Sequence, residues 1–156
     1  MIVSLVRHGV TEWNKVHRYQ GQTDVPLSDD GRDQAKLLAE RFRAIPISGW
    51  VSSDLCRAAE TADIASSSHG NVTIRRDHRW RELALGDLEG EMAAEVRNQH
   101  PELMRQWLET PSQLKMPGGE SLTALQERVW QGFQGLEFPG EEGHLVVFSH
   151  GFAIIS

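Results

Sequence analysis

The sequence predicts an α/β domain built on a largely parallel sheet, and three observations carry that prediction. Short apolar runs rich in β-branched residues alternate with segments of helical character in the order strand, helix, strand, helix, strand, helices, strand. That alternation is the pattern of parallel strands joined by crossover helices. Two of the apolar runs, at 2–6 and 145–149, are each followed closely by a His-Gly step. Finally, 156 residues suffice for one ordinary domain and are too few for two, so residues 1–156 are expected to form a single domain.

The elements follow in order. Residues 2–6, IVSLV, stop abruptly at Arg7-His8-Gly9 and read as a buried strand ending in a functional loop. Residues 10–27 are polar and glycine-containing. They read as a long surface loop with a helical turn around Thr11–Asn14, and loops of this length are often binding loops. Ser28 caps a helix expected to run through Ala44. Asp29 and Asp30 suit its first turn, and Leu37, Leu38, Arg41 and Phe42 supply its stripe. Residues 49–52 form a second strand. Asp54 then opens a helix to about Ser67, in which Ala58, Ala59, Ala62 and Ala65 bring high helix propensity. A third strand is expected over 72–74. One or two helices broken near Pro101 fill 91–109, and Pro117-Gly118-Gly119 is a turn. Ser121 caps a helix to about Leu136, a turn follows at 140–143, and 145–149 form the last strand. There is no repeat, low-complexity segment or linker.

Composition narrows the function. Hydrophobic residues make up 39% and charged residues 24%, the balance of a soluble globular protein. The formal charge is -6 and no long Lys/Arg run exists, which argues against a nucleic-acid partner. No stretch approaches the roughly 20 apolar residues of a membrane helix, and the N-terminus lacks the pattern of a signal peptide. Cys56 is the only cysteine, so an intrachain disulfide is excluded, and a cytoplasmic location is expected. With no HExxH and a single cysteine, no metal site is expected.

In open α/β sheets, ligands bind at the carboxyl ends of the strands. If the first and last strands are parallel neighbours, His8 and His150 face one pocket, and the glycine after each lets backbone approach a ligand. A helix after Gly151 would aim its first amides at the same point, which suits an anion. Arg57, about one turn into the helix after Ser52-Ser53, reaches the pocket from a third strand end. Arg7 and Arg57 offer guanidinium forks that match phosphate oxygens. His17, His69, His78, His100 and His144 lack this setting and are read as structural or exposed.

These pieces together resemble the histidine phosphatase superfamily, with its phosphoglycerate mutase-like fold. They are LVRHGVTEWN, QGQTDVPLSDDGRDQA, SSDLCRAAETA, RELALGDLEG, PGGESL and VVFSHG, in that order along almost the whole chain. The resemblance implies a three-layer α/β/α sandwich with a mostly parallel sheet. It implies that His8 is a phosphohistidine nucleophile and that Arg7, Arg57 and His150 bind phosphoryl oxygens. Asn14, Gln20 and Gly151 join them at the phosphate, and Glu82 is the proton donor. Glu89 lies close enough in sequence to rival Glu82. No cofactor is implied, and the partner is a small phosphorylated substrate.

Within that family, QGQTDVPL is similar to the phosphatase branch, with Gln20 where glycolytic mutases carry threonine. PGGESL is similar to small phosphatases such as α-ribazole phosphatase. The segment 91–117 holds Arg97 and Arg105 singly and has no Arg-Arg pair to grip a second anionic group. Hydrolysis of a phosphomonoester is therefore the expected activity, phosphoglycerate mutase the alternative, and an inactive phosphate-binding or interaction module a third reading. Family members continue well beyond SHG, whereas this chain ends at Ser156. The resemblance thus implies a domain truncated at its C-terminus, with a homodimer or a swapped element as a way to cover the gap. Trp107 and Met104 are expected over the pocket, against the non-phosphate end of the substrate.

Overall fold

The apolar runs condense into one parallel sheet, seen in a computed structural model that describes residues 1–138 and 143–156. Its described strands are β1 (Ile2–Arg7), β2 (Gly49–Ser52), β3 (Ile74–Arg76) and β4 (His144–Ser149), in the spatial order β1-β4-β2-β3. β4 lies between β1 and β2 and is buried on both faces, as its unbroken apolar sequence requires. Val146 and Phe148 point to one side, where Phe42, Trp50, Ala62 and Ala65 meet them; Leu145 and Val147 point to the other, against Val51, Trp80 and Leu136. Each fully buried side chain of this size stabilises the fold by about 1.5–3 kcal/mol.

Helices cover both faces. α2 (Asp29–Phe42) and α3 (Cys56–Ser66) lie on the Phe148 side, and α6 (Leu122–Gln134) lies on the Val147 side through Val129. Between the third and fourth strands, α4 (Ala93–Gln99) and α5 (Pro101–Glu109) break at His100, where Pro101 takes the first position of α5. A short α1 (Glu12–Lys15) carries a capping box between Thr11 and Asn14, and α7 (Gly151–Ile155) follows β4. A separate apolar cluster, centred on Leu83, Leu85, Leu88, Val96, Met116 and Leu125, takes in Phe152 and Ala153 of α7. Among the described residues, no helix is long and apolar enough to cross a membrane.

Several expectations need correction. β1 is an edge strand among the described residues, not a buried one: there it pairs with β4 alone, and Ile2 and Leu5 are 58% and 43% exposed. Its apolar sequence is matched on one side and at the edge is left open. The stripe of α2 is Ala35, Leu38, Ala39 and Phe42; Leu37 and Arg41 face solvent, and the helix stops at Phe42. Asp54 does not open α3, because its carboxylate is held by Arg81 at 2.7 and 2.6 Å. The helix starts at Cys56, whose amide donates to Asp24 Oδ1 at 2.7 Å, a cap supplied from a distant loop. β3 begins two residues later than expected, where Ile74 pairs with Trp50. α6 ends at Gln134, with Arg79 donating to Gln131 O and Arg75 to Gly135 O at its carbonyl end. The turn expected at 140–143 falls largely on 139–142, outside the described residues.

Candidate active site

The β1–β4 register aligns Arg7 with Ser149, so the next residues, His8 and His150, emerge side by side. Their rings are 5.1 Å apart and tilted by 56°. The end of β2 joins them: the Ser53 amide donates to Phe148 O, and Ser53 Oγ lies 2.9 Å from His150 Nε2. From the first turn of α3, Arg57 reaches the same place and is fully buried.

His8 is prepared as a base. Its Nδ1 lies 2.6 Å from Gly9 O. A carbonyl only accepts, so Nδ1 carries the hydrogen and Nε2 keeps its lone pair. That nitrogen faces Arg57, whose Nε donates to it at 3.3 Å. Burial, reinforced by Arg57 and Arg7, pushes the His8 pKa down to about 3 against the opposing Gly9 bond. Burial and Arg57 likewise hold His150 well below the usual histidine range. Both rings are therefore neutral at ordinary pH, and the positive charge of the site comes from Arg7 and Arg57, not from a histidine as well.

Gly9 has a different purpose from the one expected. A β-carbon there would overlap the Gly31 carbonyl oxygen at the start of α2, and its amide donates to the buried Thr61 Oγ1 at 3.0 Å. The glycine thus permits close packing behind the nucleophile. Gly151 does border the open side: a β-carbon on it would sit 3.6 Å from Glu82 Oε2 and 3.8 Å from the Arg7 guanidinium. Arg7 itself is exposed.

Arg57 is held by backbone carbonyls. Its Nη1 donates to Thr23 O at 2.9 Å and its Nη2 to Gly21 O at 2.7 Å. That loop is in turn gripped by Glu89, which accepts from the amides of Gln22 and Thr23 and from Thr23 Oγ1 at 2.9, 2.8 and 2.6 Å. It also accepts from Leu85 N at 3.1 Å. Gly21, with φ of 53°, has no room for a side chain beside that carboxylate. Both oxygens of Glu89 are committed to the loop, so it does not rival Glu82. Asn14 and Gln20 turn their carbonyl oxygens to Thr11 Oγ1 at 3.1 and 2.9 Å. This leaves their NH2 groups, two neutral donors, without a protein partner among the described residues.

Glu82 lies on the segment that crosses the open end of the sheet. Its Oε1 accepts from Leu83 N at 2.9 Å and Phe152 N at 3.1 Å. The first amides of α7 therefore serve Glu82, where an incoming anion was expected. Burial nevertheless raises its pKa above the usual carboxyl value, outweighing these bonds and Arg57. Its backbone is clamped as well: Glu82 O accepts from Gln22 Nε2 at 3.1 Å and Arg128 Nη2 at 3.2 Å. Arg128 is paired with Glu120 at 2.9 Å, and Glu120 also accepts from Ala84 N at 3.2 Å. Glu120 lies in PGGESL, a motif legible in the sequence, but its role as an anchor depends on this distant pairing. Ser53, Thr61 and Gln22 lie within legible motifs but their roles depend on partners remote in sequence, and Arg128 lies outside those motifs.

Beside Glu82, a cavity of about 110 Å3 is lined by Tyr19, Leu85, Leu88, Met104, Trp107, Met116 and Phe152. Tyr19, Leu85 and Phe152 extend directly from segments that carry Gln20, Glu82 and Gly151. Trp107 stacks edge-on against Phe152 at 5.1 Å. Among the described residues, no group of three or more His, Cys, Asp or Glu side chains gathers as a metal-ligand set.

Fold and site together place the chain in the class of α/β proteins that transfer phosphoryl groups. It belongs to the histidine phosphatase superfamily (branch 1), whose pattern matches residues 3–156. Curated relatives include the "Probable phosphoglycerate mutase GpmB" of Salmonella choleraesuis (strain SC-B67), 39% identical over 153 residues, covering 97% of this chain and 70% of the relative. That of Serratia proteamaculans (strain 568) is 36% identical over 152 residues, with the same coverage. Among solved structures, a mycobacterial glucosyl-3-phosphoglycerate phosphatase complexed with VO3 superposes with a TM-score of 0.84 at 33% identity, covering 96% of this chain and 76% of that one. A phosphoglycerate mutase from Thermus thermophilus gives 0.77 at 36% identity, covering 99% and 80%.

Proposed function

We propose that the protein is a metal-independent phosphomonoesterase that acts on a small phosphorylated metabolite through a phosphohistidine on His8. The observation that carries this reading is the state of His8: neutral, with Nδ1–H bound to Gly9 O and the Nε2 lone pair engaged only by the long 3.3 Å contact from Arg57, which an incoming phosphate would displace. In the first step Nε2 forms a bond to phosphorus and the ester P–O bond breaks. The leaving oxygen takes the proton of Glu82, whose raised pKa favours the acid form. In the second, water attacks the same phosphorus and gives a proton to the Glu82 carboxylate. The P–N bond then breaks, and its electron pair returns to Nε2. The transition state spreads charge over three equatorial oxygens, so most of the catalysis is positioning and fixed charge. Arg7, Arg57, the NH2 groups of Asn14 and Gln20, and neutral His150 with Gly151 supply it.

Hydrolysis is favoured over isomerisation by the cavity beside Glu82. No cation lines it, and Arg105 on the neighbouring helix is committed to Glu102 and Glu109. Nothing in that lining holds the second anionic group of a phosphoglycerate. The names of the curated relatives favour the second reading, a phosphoglycerate mutase. Incubation with 3-phosphoglycerate and with a panel of phosphomonoesters separates the two. The expected result is release of inorganic phosphate from several uncharged-alcohol phosphates. Rapid isomerisation of 3-phosphoglycerate without phosphate release would establish the mutase instead.

A further inference from the structure

His150 has two buried ring nitrogens and only one of them has a partner. Nε2 lies 2.9 Å from Ser53 Oγ, while Nδ1 is sealed from solvent without a hydrogen bond among the described residues. A neutral imidazole carries one hydrogen, so two arrangements exist. They differ in what Nδ1 shows to its surroundings: an N–H that donates, or a lone pair that repels an anionic oxygen.

Ser53 decides between them. The residue is fully buried and tied to β4 through its amide on Phe148 O. Its hydroxyl oxygen already accepts from Leu55 N at 3.3 Å. The neighbouring Ser52 hydroxyl donates to Ser53 O at 2.8 Å and takes no part. Among the described residues the hydrogen of the Ser53 hydroxyl has one acceptor within reach, His150 Nε2. If Nε2 carried the hydrogen instead, the Ser53 O–H would be buried with no acceptor, and Nδ1 would be an orphan too. With Ser53 as donor, Nδ1–H alone is left over, and buried polar groups left unmatched are costly enough to be rare.

We propose that Ser53 is a positioning residue whose hydroxyl donates to His150 Nε2, holding His150 as the Nδ1–H tautomer, a neutral donor for a phosphoryl oxygen beside His8. The ligand in this statement rests on the phosphoryl-transfer reading; the tautomer does not. A tetrahedral anion would supply the acceptor that Nδ1 lacks, so His150 contributes to binding without being charged.

The test is 15N NMR of the His150 ring in the unliganded wild-type protein, together with orthovanadate titration of wild type and Ser53→Ala. The expected spectrum shows a protonated Nδ1 and a bare Nε2, and Ser53→Ala should lose that preference and bind vanadate about tenfold more weakly. A wild-type spectrum with the hydrogen on Nε2 overturns the proposal, whether or not the variant folds. So does a folded Ser53→Ala protein with unchanged tautomer and vanadate affinity. The expected tautomer in a protein that hydrolyses no phosphomonoester would sink the phosphatase reading and leave the role of Ser53 standing.

Discussion

Replacing Arg57 by alanine should lower kcat/KM for every phosphomonoester by about 10^2–10^3-fold, the loss typical when one fixed donor to a developing charge is removed. The guanidinium is fully buried and bonded on three sides, to Thr23 O, Gly21 O and His8 Nε2. It therefore fixes the loop at Gly21 and Thr23 and the His8 ring relative to each other. Its positive charge also helps keep His8 unprotonated. Arg57→Lys should not rescue activity, because one ammonium on a flexible stem cannot reproduce a planar fork serving three acceptors. Hydrogen exchange of the Gln22 and Thr23 amides should quicken in both variants, since the loop would keep Glu89 and the Gln22 bond to Glu82 O but lose both carbonyl bonds to Arg57. A lysine variant with wild-type kcat/KM would contradict this account of the site.

Glu82→Gln should separate the two half-reactions. Alkyl phosphates, whose leaving oxygen needs a proton, should lose about 10^2–10^4-fold in rate, the range for a missing general acid. p-Nitrophenolate leaves without help. The variant should therefore release a burst of it stoichiometric with enzyme and then turn over slowly, because water lacks its base. Wild type should lose activity on alkyl phosphates as pH rises through the elevated Glu82 pKa, and the variant should lack that limb.

The same substitution has a sign in stability. A carboxyl whose folded pKa exceeds its unfolded value favours the fold while protonated; that contribution is present below the unfolded pKa and disappears as pH rises through the folded one. Above its folded pKa the buried carboxylate is thus a burden. Glutamine stays neutral and keeps an Oε1 able to accept from Leu83 and Phe152. Tm measured on the alkaline side of that pKa should rise in Glu82→Gln, and a lower Tm there would show that the carboxylate stabilises the fold. Greater stability with lost turnover is the usual trade at a strained site.

The sheet was legible because β4 and β1 are apolar runs that end in His-Gly, and a parallel α/β order follows from their alternation with helices. The juxtaposition of His8 and His150 follows from one further condition, that these strands are neighbours, which the β1–β4 register meets. The misplaced boundaries share a cause. The start of α3 is set by Asp24 and by the capture of Asp54 by Arg81, both remote in sequence. Local capping rules cannot see such partners. Gly9 looked like a ligand-facing glycine, but its constraint comes from Gly31 on α2. Glu89 shows the same limit: near Glu82 in sequence, it is separated from it in purpose by the loop amides it holds. The neutrality of His8 and His150 was not legible, because their depressed pKa values depend on burial, which residue types alone do not reveal.

The central claim is that His8 Nε2 carries the phosphoryl group between the two steps. The most direct measurement is a rapid alkaline quench of Glu82→Gln after mixing with p-nitrophenyl phosphate, followed by intact mass and peptide mapping. One phosphoryl group per chain, located on His8, lost in acid and missing from a variant that also carries His8→Ala, is the predicted result. A label on another residue, or phosphate release at full rate with His8 unmodified and replaceable, would contradict it.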